Sequence, residues 1–321
     1  LKVRCAVLDD YQNVALCMAD WSTITEDVDV RVFNKHFTDE NELVNAIGDC
    51  EIVVAMRERT PFGATTFSRL PLLKLLVTTG MRNSSIDLAA AAQHGVTVCG
   101  TGGVSHSKAT VELTWALILG ISRHIVLENR AIQTNGSWQT TIGTDIYGKQ
   151  LGIIGLGKIG TDVARVGKAF GMEVAAWSEN LTEERASAAG VRLASSKDEL
   201  LKTSDYVSIH LVLSERTKGI IGAHDLQLMK PSAYLINTSR APIVDQAALI
   251  DALQNRSIAG AGLDVYEIEP LPESSPFRSL PNVLATPHIG YVTRSTYEVW
   301  YSDAVKDIQA YLAGSPVRTL S

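Results

Sequence analysis

The stretch Gly148-Lys149-Gln150-Leu151-Gly152-Ile153-Ile154-Gly155-Leu156-Gly157-Lys158-Ile159-Gly160 constrains the fold of this chain more than any other. Leu151 to Ile154 is an apolar run of the kind that forms a buried strand. Thr161 to Gly171 carries Val163, Ala164, Val166 and Ala169 at helical spacing. Between them lies G-x-G-x-x-G. Gly155 allows a tight turn, Gly157 lets backbone approach a pyrophosphate, and Gly160 lets the helix lie close to the strand. Alone, such a pattern fits an ordinary glycine turn equally well. Its setting between strand and helix, ahead of a further strand Met172–Trp177, predicts a dinucleotide-binding unit with phosphates at the helix N-terminus.

At 321 residues the chain exceeds the size at which one hydrophobic core usually stops growing, so two domains are expected. A net charge of -6 and the lack of a basic cluster argue against nucleic acid or an acidic membrane surface as partner. The four cysteines, Cys5, Cys17, Cys50 and Cys99, show no C-x-x-C spacing. They fit free thiols in a reducing compartment better than disulfides or zinc ligands. No apolar run approaches bilayer length and no export segment precedes the first strand, so a soluble, cytoplasmic protein is the expectation.

Five short apolar runs mark the first part of the chain: Val3–Leu8, Val28–Phe33, Ile52–Met56, Leu72–Val77 and Val96–Cys99. Polar or amphipathic stretches such as Asp39–Ile47 and Ser85–His94 separate them. Strands alternating with helices predict a parallel α/β sheet. A long helix is expected over Ser105–Arg130 after the flexible Gly100-Thr101-Gly102-Gly103. A second βα series continues through Val174–Trp177, Tyr206–Leu211, Tyr234–Asn237, Ile258–Leu263 and Val283–Ala285. A last helix, about Thr293 to Gly314, is expected to bury Val299, Val305, Ile308 and Leu312 and to return to the first domain.

Open α/β sheets bind ligands beyond the carboxyl ends of their strands. Three segments follow strands of the second series: Asn237 to Asp245, Gly262 to Pro272, and Thr286-Pro287-His288-Ile289-Gly290. Hydride transfer to a carbonyl needs a proton donor for the oxygen and a cation for a neighbouring carboxylate. Histidine, with an ordinary pKa of about 6.5, suits the first task. A nearby carboxylate favours the protonated imidazole, and an arginine fork suits the second task. Arg240, Glu269 and His288 supply these three types. Each taken singly is equally at home as a surface or loop residue; together, on one sheet edge, they form a candidate catalytic set.

With these segments in place, the chain resembles the D-isomer-specific 2-hydroxyacid dehydrogenase family over nearly its full length. The resemblance implies two doubly wound parallel-sheet α/β domains, a Rossmann coenzyme domain (100–289) inserted in a flavodoxin-like substrate domain (1–99, completed by 290–321). It also implies a homodimer paired through the coenzyme domains and the linking helix. By the same likeness Arg240 binds the substrate carboxylate and keto oxygen, Glu269 partners the base, and His288 is the acid/base. Asp264 matches the aspartate at the nicotinamide amide, and Thr238, Ser239 and Gly290 lie by the cofactor. Gly155, Leu156, Gly157, Lys158, Ile159 and Gly160 wrap the pyrophosphate, while Ser178, His210 and Thr217 belong to the adenosine end. Met56-Arg57-Glu58-Arg59-Thr60 and Thr79-Gly80-Met81-Arg82-Asn83 resemble the substrate loops, with Arg57, Gly80 and Met81 as contacts.

Three departures from the family pattern are informative. Ser178, followed by Glu179 and Asn180, replaces the acidic residue that commonly holds the ribose hydroxyls. A 2′-phosphate would want Arg or Lys there and Glu179 would repel it, so NAD is expected, with NADP not excluded. Ala241 follows the arginine where glycine is common, and Tyr291 stands where small residues are common. The expected activity is hydride exchange between NAD(H) and C2 of a small 2-keto or D-2-hydroxy acid. The rival is a coenzyme-sensing binding protein like the family's corepressors, but a scaffold has no need of Arg240, Glu269 and His288 together. A formate-oxidising branch of the fold carries Gln in place of Glu269, which argues against that chemistry here.

Overall fold

The computed structural model describes residues 2–102 and 106–321, with His106 described by its backbone alone. It divides into two compact units, one formed by Leu1–Ser105 with Val292–Ser321 and the other by His106–Tyr291. These limits differ by a few residues from divisions at 99/100 and 289/290. Gly103 and Ser105, part of the expected flexible stretch and helix start, lie outside the described residues.

The first unit carries strands β1 (Val3–Val7), β2 (Val28–Val32), β3 (Ile52–Ala55), β4 (Leu75–Thr78) and β5 (Thr97–Gly100), with helices α1 (Glu40–Ile47), α2 (Ala64–Arg69) and α3 (Leu88–Gln93). The sheet is parallel, in the order β2-β1-β3-β4-β5, which is the flavodoxin-like arrangement. Asp39 and Asp87 cap α1 and α3 by accepting backbone N–H groups of the first turn. Alternate strand residues Ala6, Val53, Ala55, Leu76 and Val98, with Leu8 just past β1, share one core with Leu43, Phe62 and Phe67. Leu72, read as strand from its apolar neighbours, precedes β4 and is half exposed.

The second unit contains α4 (His106–Ser122), α5 (Ile125–Gln133), β6 (Gln150–Ile154), α6 (Lys158–Ala169), β7 (Glu173–Trp177), α7 (Glu183–Ala188), β8 (Arg192–Leu193), α8 (Lys197–Thr203), β9 (Tyr206–Ile209), α9 (Ala223–Leu228), β10 (Tyr234–Asn237), α10 (Gln246–Gln254), β11 (Gly260–Leu263) and β12 (Val283–Ala285). Its parallel sheet runs β12-β11-β10-β9-β6-β7-β8, a Rossmann order with the reversal at β6. Successive residues feed opposite faces: Ile153 and Ile236 enter one core, Ile154 and Leu235 the other. Strands buried on both faces read as continuous apolar runs, which is why they stand out in the sequence.

Two helices differ from expectation. The helix predicted over Ser105–Arg130 is broken: His124 takes φ of 51°, and α5 leaves α4 at 67°. The N–H of Thr144 satisfies the carbonyl of Ser122 at 2.8 Å, closing the end of α4. The last helix, α11 (Arg294–Leu312), belongs to the first unit and packs against β4. Val305 and Ile308 are buried as expected, but Val299 and Leu312 lie on the exposed side. Trp300, Tyr301 and Ala304 form the buried stripe instead; each large aromatic contributes about 1.5–3 kcal/mol by burial. Among the described residues no single helix is long and apolar enough to cross a membrane.

Candidate active site

One register line orders the edge of the second sheet. Trp177 pairs with Ile154, Ile154 with Ile209, Ile209 with Asn237, Asn237 with Leu263, and Leu263 with Ala285. The next residue of each strand therefore emerges on the same carboxyl edge: Ser178, Gly155, His210, Thr238, Asp264 and Thr286. Adjacent strands lie about 4.8 Å apart, so the segments after β10, β11 and β12 leave the sheet within roughly 10 Å of one another.

His288 and Glu269 meet on this edge. The ring Nδ1 lies 2.6 Å from Glu269 Oε2, and Glu269 Oε1 accepts the N–H of Tyr266 at 2.9 Å. Both oxygens are thus committed, and both side chains are largely shielded, 19% and 27% exposed. The Tyr266 hydroxyl in turn donates to the carbonyls of Leu263 and Thr286, tying the β11 loop to β12.

Asp264 holds the backbone beneath the histidine. Its carboxylate accepts the N–H groups of Ile289 and Gly290, each at 2.8 Å, and the Thr286 hydroxyl at 2.6 Å. His288 itself sits at φ 53°, a left-handed conformation that these bonds to the following residues hold in place. Burial raises the Asp264 pKa, against the pull of its hydrogen bonds and of His288. The edge of the buried Tyr291 ring contacts His288, centroids 5.5 Å apart at 68°.

Arg240 is presented by the turn after β10. The Asn237 amide donates to the Arg240 carbonyl at 3.1 Å, and its oxygen accepts the Ser239 N–H at 3.0 Å. This Asx turn was not singled out in the sequence, although Asn237 two residues before Ser239 is its signal. Thr238 bonds Thr114 of α4 at 2.8 Å, and the Ser239 hydroxyl donates to the Leu211 carbonyl. The Arg240 guanidinium donates to the Ser239 carbonyl at 2.9 Å.

The glycine loop has the shape a pyrophosphate needs. Gly155 takes φ of 98°, and a Cβ there would stand 2.7 Å from the His210 carbonyl oxygen. A Cβ at Gly160 would stand 2.1 Å from the Gly155 oxygen. Gly157 has open space around it and begins α6 without a side-chain cap, whereas Thr182, Ser196 and Asp245 cap α7, α8 and α10. The first N–H groups of α6 are thus left for an anion. Leu156 is buried beneath the loop, and Ile159 is half-buried.

Beside the loop lies a cavity of about 340 Å³, lined by Trp177, Ser178, Glu179 and Asn180 on one side and Leu211, Val212, Ser214, Arg216, Thr217 and Ile220 on the other. Thr217 shapes its wall, accepting the Ser214 N–H at 2.8 Å and donating to the Val212 carbonyl at 2.7 Å. His210, expected here, turns its ring back onto the Ser208 hydroxyl at 2.8 Å. Burial pushes its pKa down to about 3, which favours the neutral ring. Among the described residues no group of three His, Cys, Asp or Glu side chains could hold a metal ion.

Residues 115–290 match the family model of the D-isomer specific 2-hydroxyacid dehydrogenase NAD binding domain. The chain belongs to this family. It is 35% identical over 260 residues to a glyoxylate reductase of Korarchaeum cryptofilum, covering 79% of this chain and 77% of that one. It is also 35% identical to the D-3-phosphoglycerate dehydrogenase of Bacillus subtilis, over 82% of this chain but only 50% of that protein. Among solved structures, a phosphoglycerate oxidoreductase of Vibrio cholerae superposes with a TM-score of 0.92 at 36% identity, covering 98% of this chain and 100% of that one. As a member of the dehydrogenase family the chain uses NAD(H), and its residues fit that group. The uncapped α6 suits the pyrophosphate, and the neighbouring cavity joins apolar walls for a flat base to hydroxyls for a ribose.

The first unit of this family member brings Arg57, Gly80 and Met81 together on its own sheet edge. The Arg57 guanidinium lies over Trp300, 5.8 Å from the ring centroid, and donates to the Thr79 carbonyl at 3.2 Å. A Cβ at Gly80 would stand 1.9 Å from Arg57 Nη1, so a side chain there would displace the guanidinium. Met81 is 45% exposed.

Proposed function

We propose that this chain is an oxidoreductase that interconverts a small 2-keto acid and its D-2-hydroxy acid with NAD(H). The observation that carries this reading is the 2.6 Å contact of His288 with Glu269 on the strand edge that also presents Arg240 and the glycine loop. Bound coenzyme supplies the hydride to C2, or removes it. Arg240 binds the substrate carboxylate through its planar fork and leaves a donor for the C2 oxygen. With Nδ1 committed to Glu269, Nε2 of His288 is the nitrogen that gives a proton to that oxygen in reduction and takes it back in oxidation. Glu269 carries the compensating negative charge while the ring holds two protons. Asp264 keeps the ring in place through the backbone of Ile289 and Gly290.

Two copies pair through the second unit in this proposal. Exposed Ile125, Val126, Leu127 and Ile132 on α5 support it. A steady-state screen of 2-keto acids with NADH tests the activity; glyoxylate leads the panel because similar proteins are named glyoxylate reductases. Saturable oxidation of NADH with at least one 2-keto acid is expected. Its absence across glyoxylate, pyruvate, hydroxypyruvate and branched or aromatic 2-keto acids would reject the proposal.

A further inference from the structure

The cavity beside the glycine loop holds an arginine, Arg216, that has no part in the proposed hydride transfer. Strands β7 and β9 flank β6, so the loops that follow them face one another across the coenzyme loop, roughly 10 Å apart at the sheet. The β7 loop brings Ser178, Glu179 and Asn180 to the cavity, and the β9 loop brings Ser214, Arg216 and Thr217. Arg216 is exposed, and among the described residues it forms no ion pair with Glu179 or with any other side chain. Thr217, one residue on, is locked by its bonds to Ser214 and Val212, which sets where Arg216 starts from the wall.

We propose that Arg216 lets this cavity take a ribose 2′-phosphate as well as a 2′-hydroxyl, so that the chain binds NADP(H) beside NAD(H), with Glu179 as the opposing determinant. The proposal rests on reading the cavity as the adenosine end of the coenzyme site. A carboxylate directly after β7 would repel a phosphate, but Ser178 stands there, and a hydroxyl donates to a phosphate oxygen as readily as it bonds a ribose hydroxyl. Asn180 adds amide donors. Arg216 offers five N–H donors in a fork that matches phosphate, from the wall opposite the position where such a cation is ordinarily sought. Glu179 is exposed and, among the described residues, unpaired, so it is free to swing into water when a phosphate binds; it lowers affinity for the phosphate without blocking it.

Isothermal titration of the full chain with adenosine 2′,5′-bisphosphate and with 5′-AMP tests this by binding alone. The wild-type chain is expected to bind both. Arg216→Gln should weaken the bisphosphate by about tenfold or more while leaving 5′-AMP within about twofold, and Glu179→Gln should tighten the bisphosphate by about threefold or more. Added salt should weaken the bisphosphate more steeply in the wild type than in Arg216→Gln. Equal losses for both ligands in Arg216→Gln, or no loss for either, would overturn the role of Arg216. Failure of the wild type to bind 5′-AMP would overturn the adenosine reading of the cavity itself, and the proposal with it.

Discussion

Glu269 grips His288 Nδ1 with one oxygen, at 2.6 Å, and the Tyr266 N–H with the other, at 2.9 Å, so the imidazole is anchored through a carboxylate that is itself anchored to the β11 loop. In the proposed reaction, hydrogen bonding thereby selects the nitrogen left for proton transfer. His288→Ala should lower kcat by about 10²–10⁴-fold, the usual worth of a positioned acid or base, with NADH affinity nearly unchanged. Glu269→Gln should lower kcat by a comparable factor, because an amide can present its N–H₂ to the ring and favour the wrong tautomer. Single-turnover kinetics beside coenzyme titration checks both; an unchanged kcat in His288→Ala removes the residue from the mechanism.

The last two glycines of the loop should respond differently to an added methyl group. Gly160→Ala meets the Gly155 oxygen at 2.1 Å, and backbone must move, at about 1–3 kcal/mol of stability. Gly157→Ala meets nothing within 4 Å, so its Tm should match the wild type while NADH affinity falls by about tenfold or more. Thermal melts paired with coenzyme titration distinguish them; a normal coenzyme affinity in Gly157→Ala would show that phosphate does not approach that backbone.

Asp264 acts on the histidine from below. Asp264→Ala leaves the N–H groups of Ile289 and Gly290 without their acceptor, at about 1–3 kcal/mol for each group left unsatisfied. It also frees the left-handed turn at His288. We expect a lower Tm together with a fall in kcat of at least about tenfold, and a smaller fall in Asp264→Asn, which keeps one acceptor oxygen. Equal kcat in all three proteins would separate Asp264 from the catalytic geometry.

A buried acid in the first unit makes stability depend on pH. Asp307 on α11 is fully buried, and this pushes its pKa up to about 7 despite the Arg318 guanidinium 2.9 Å away; Asp303, Lys306 and Cys99 are the other titratable groups around it. The folded value lies above that of an unfolded aspartate, so the folded state holds the proton more tightly. Its contribution is complete below about pH 4 and is lost as pH rises through about 7. Asp307→Asn imitates the protonated acid. It should melt above the wild type at pH 8 and converge with it near pH 4, a stability difference of about 1–3 kcal/mol at the upper end. A Tm difference independent of pH would exclude Asp307 as the source.

Much of the fold follows from local pattern. The apolar runs that form β1, β3, β6, β9 and β10 are strands buried on both faces, and such strands announce themselves because nearly every side chain must be apolar. Elements with a weaker local signature were misplaced or missed. The break at His124 depends on a non-glycine residue adopting a left-handed backbone and on Thr144 closing the end of α4. The buried side of α11 carries Trp300 and Tyr301 rather than Val299 and Leu312, since the face of a helix is chosen by what it packs against. The two-residue β8 is too short to show a period.

The candidate site divides along the same line. The linear sequence determined the glycine turn between β6 and α6, because Gly155, Gly157 and Gly160 act through backbone geometry within one turn of chain, and it determined which segments follow which strands. Only tertiary structure decided that Glu269 meets His288, 19 residues further along the chain, that Asp264 supports Ile289 and Gly290, and that Arg216 shares a cavity with Ser178. Strand order and register place those partners, and both are set by long-range burial and hydrogen bonding that no window of neighbouring residues contains.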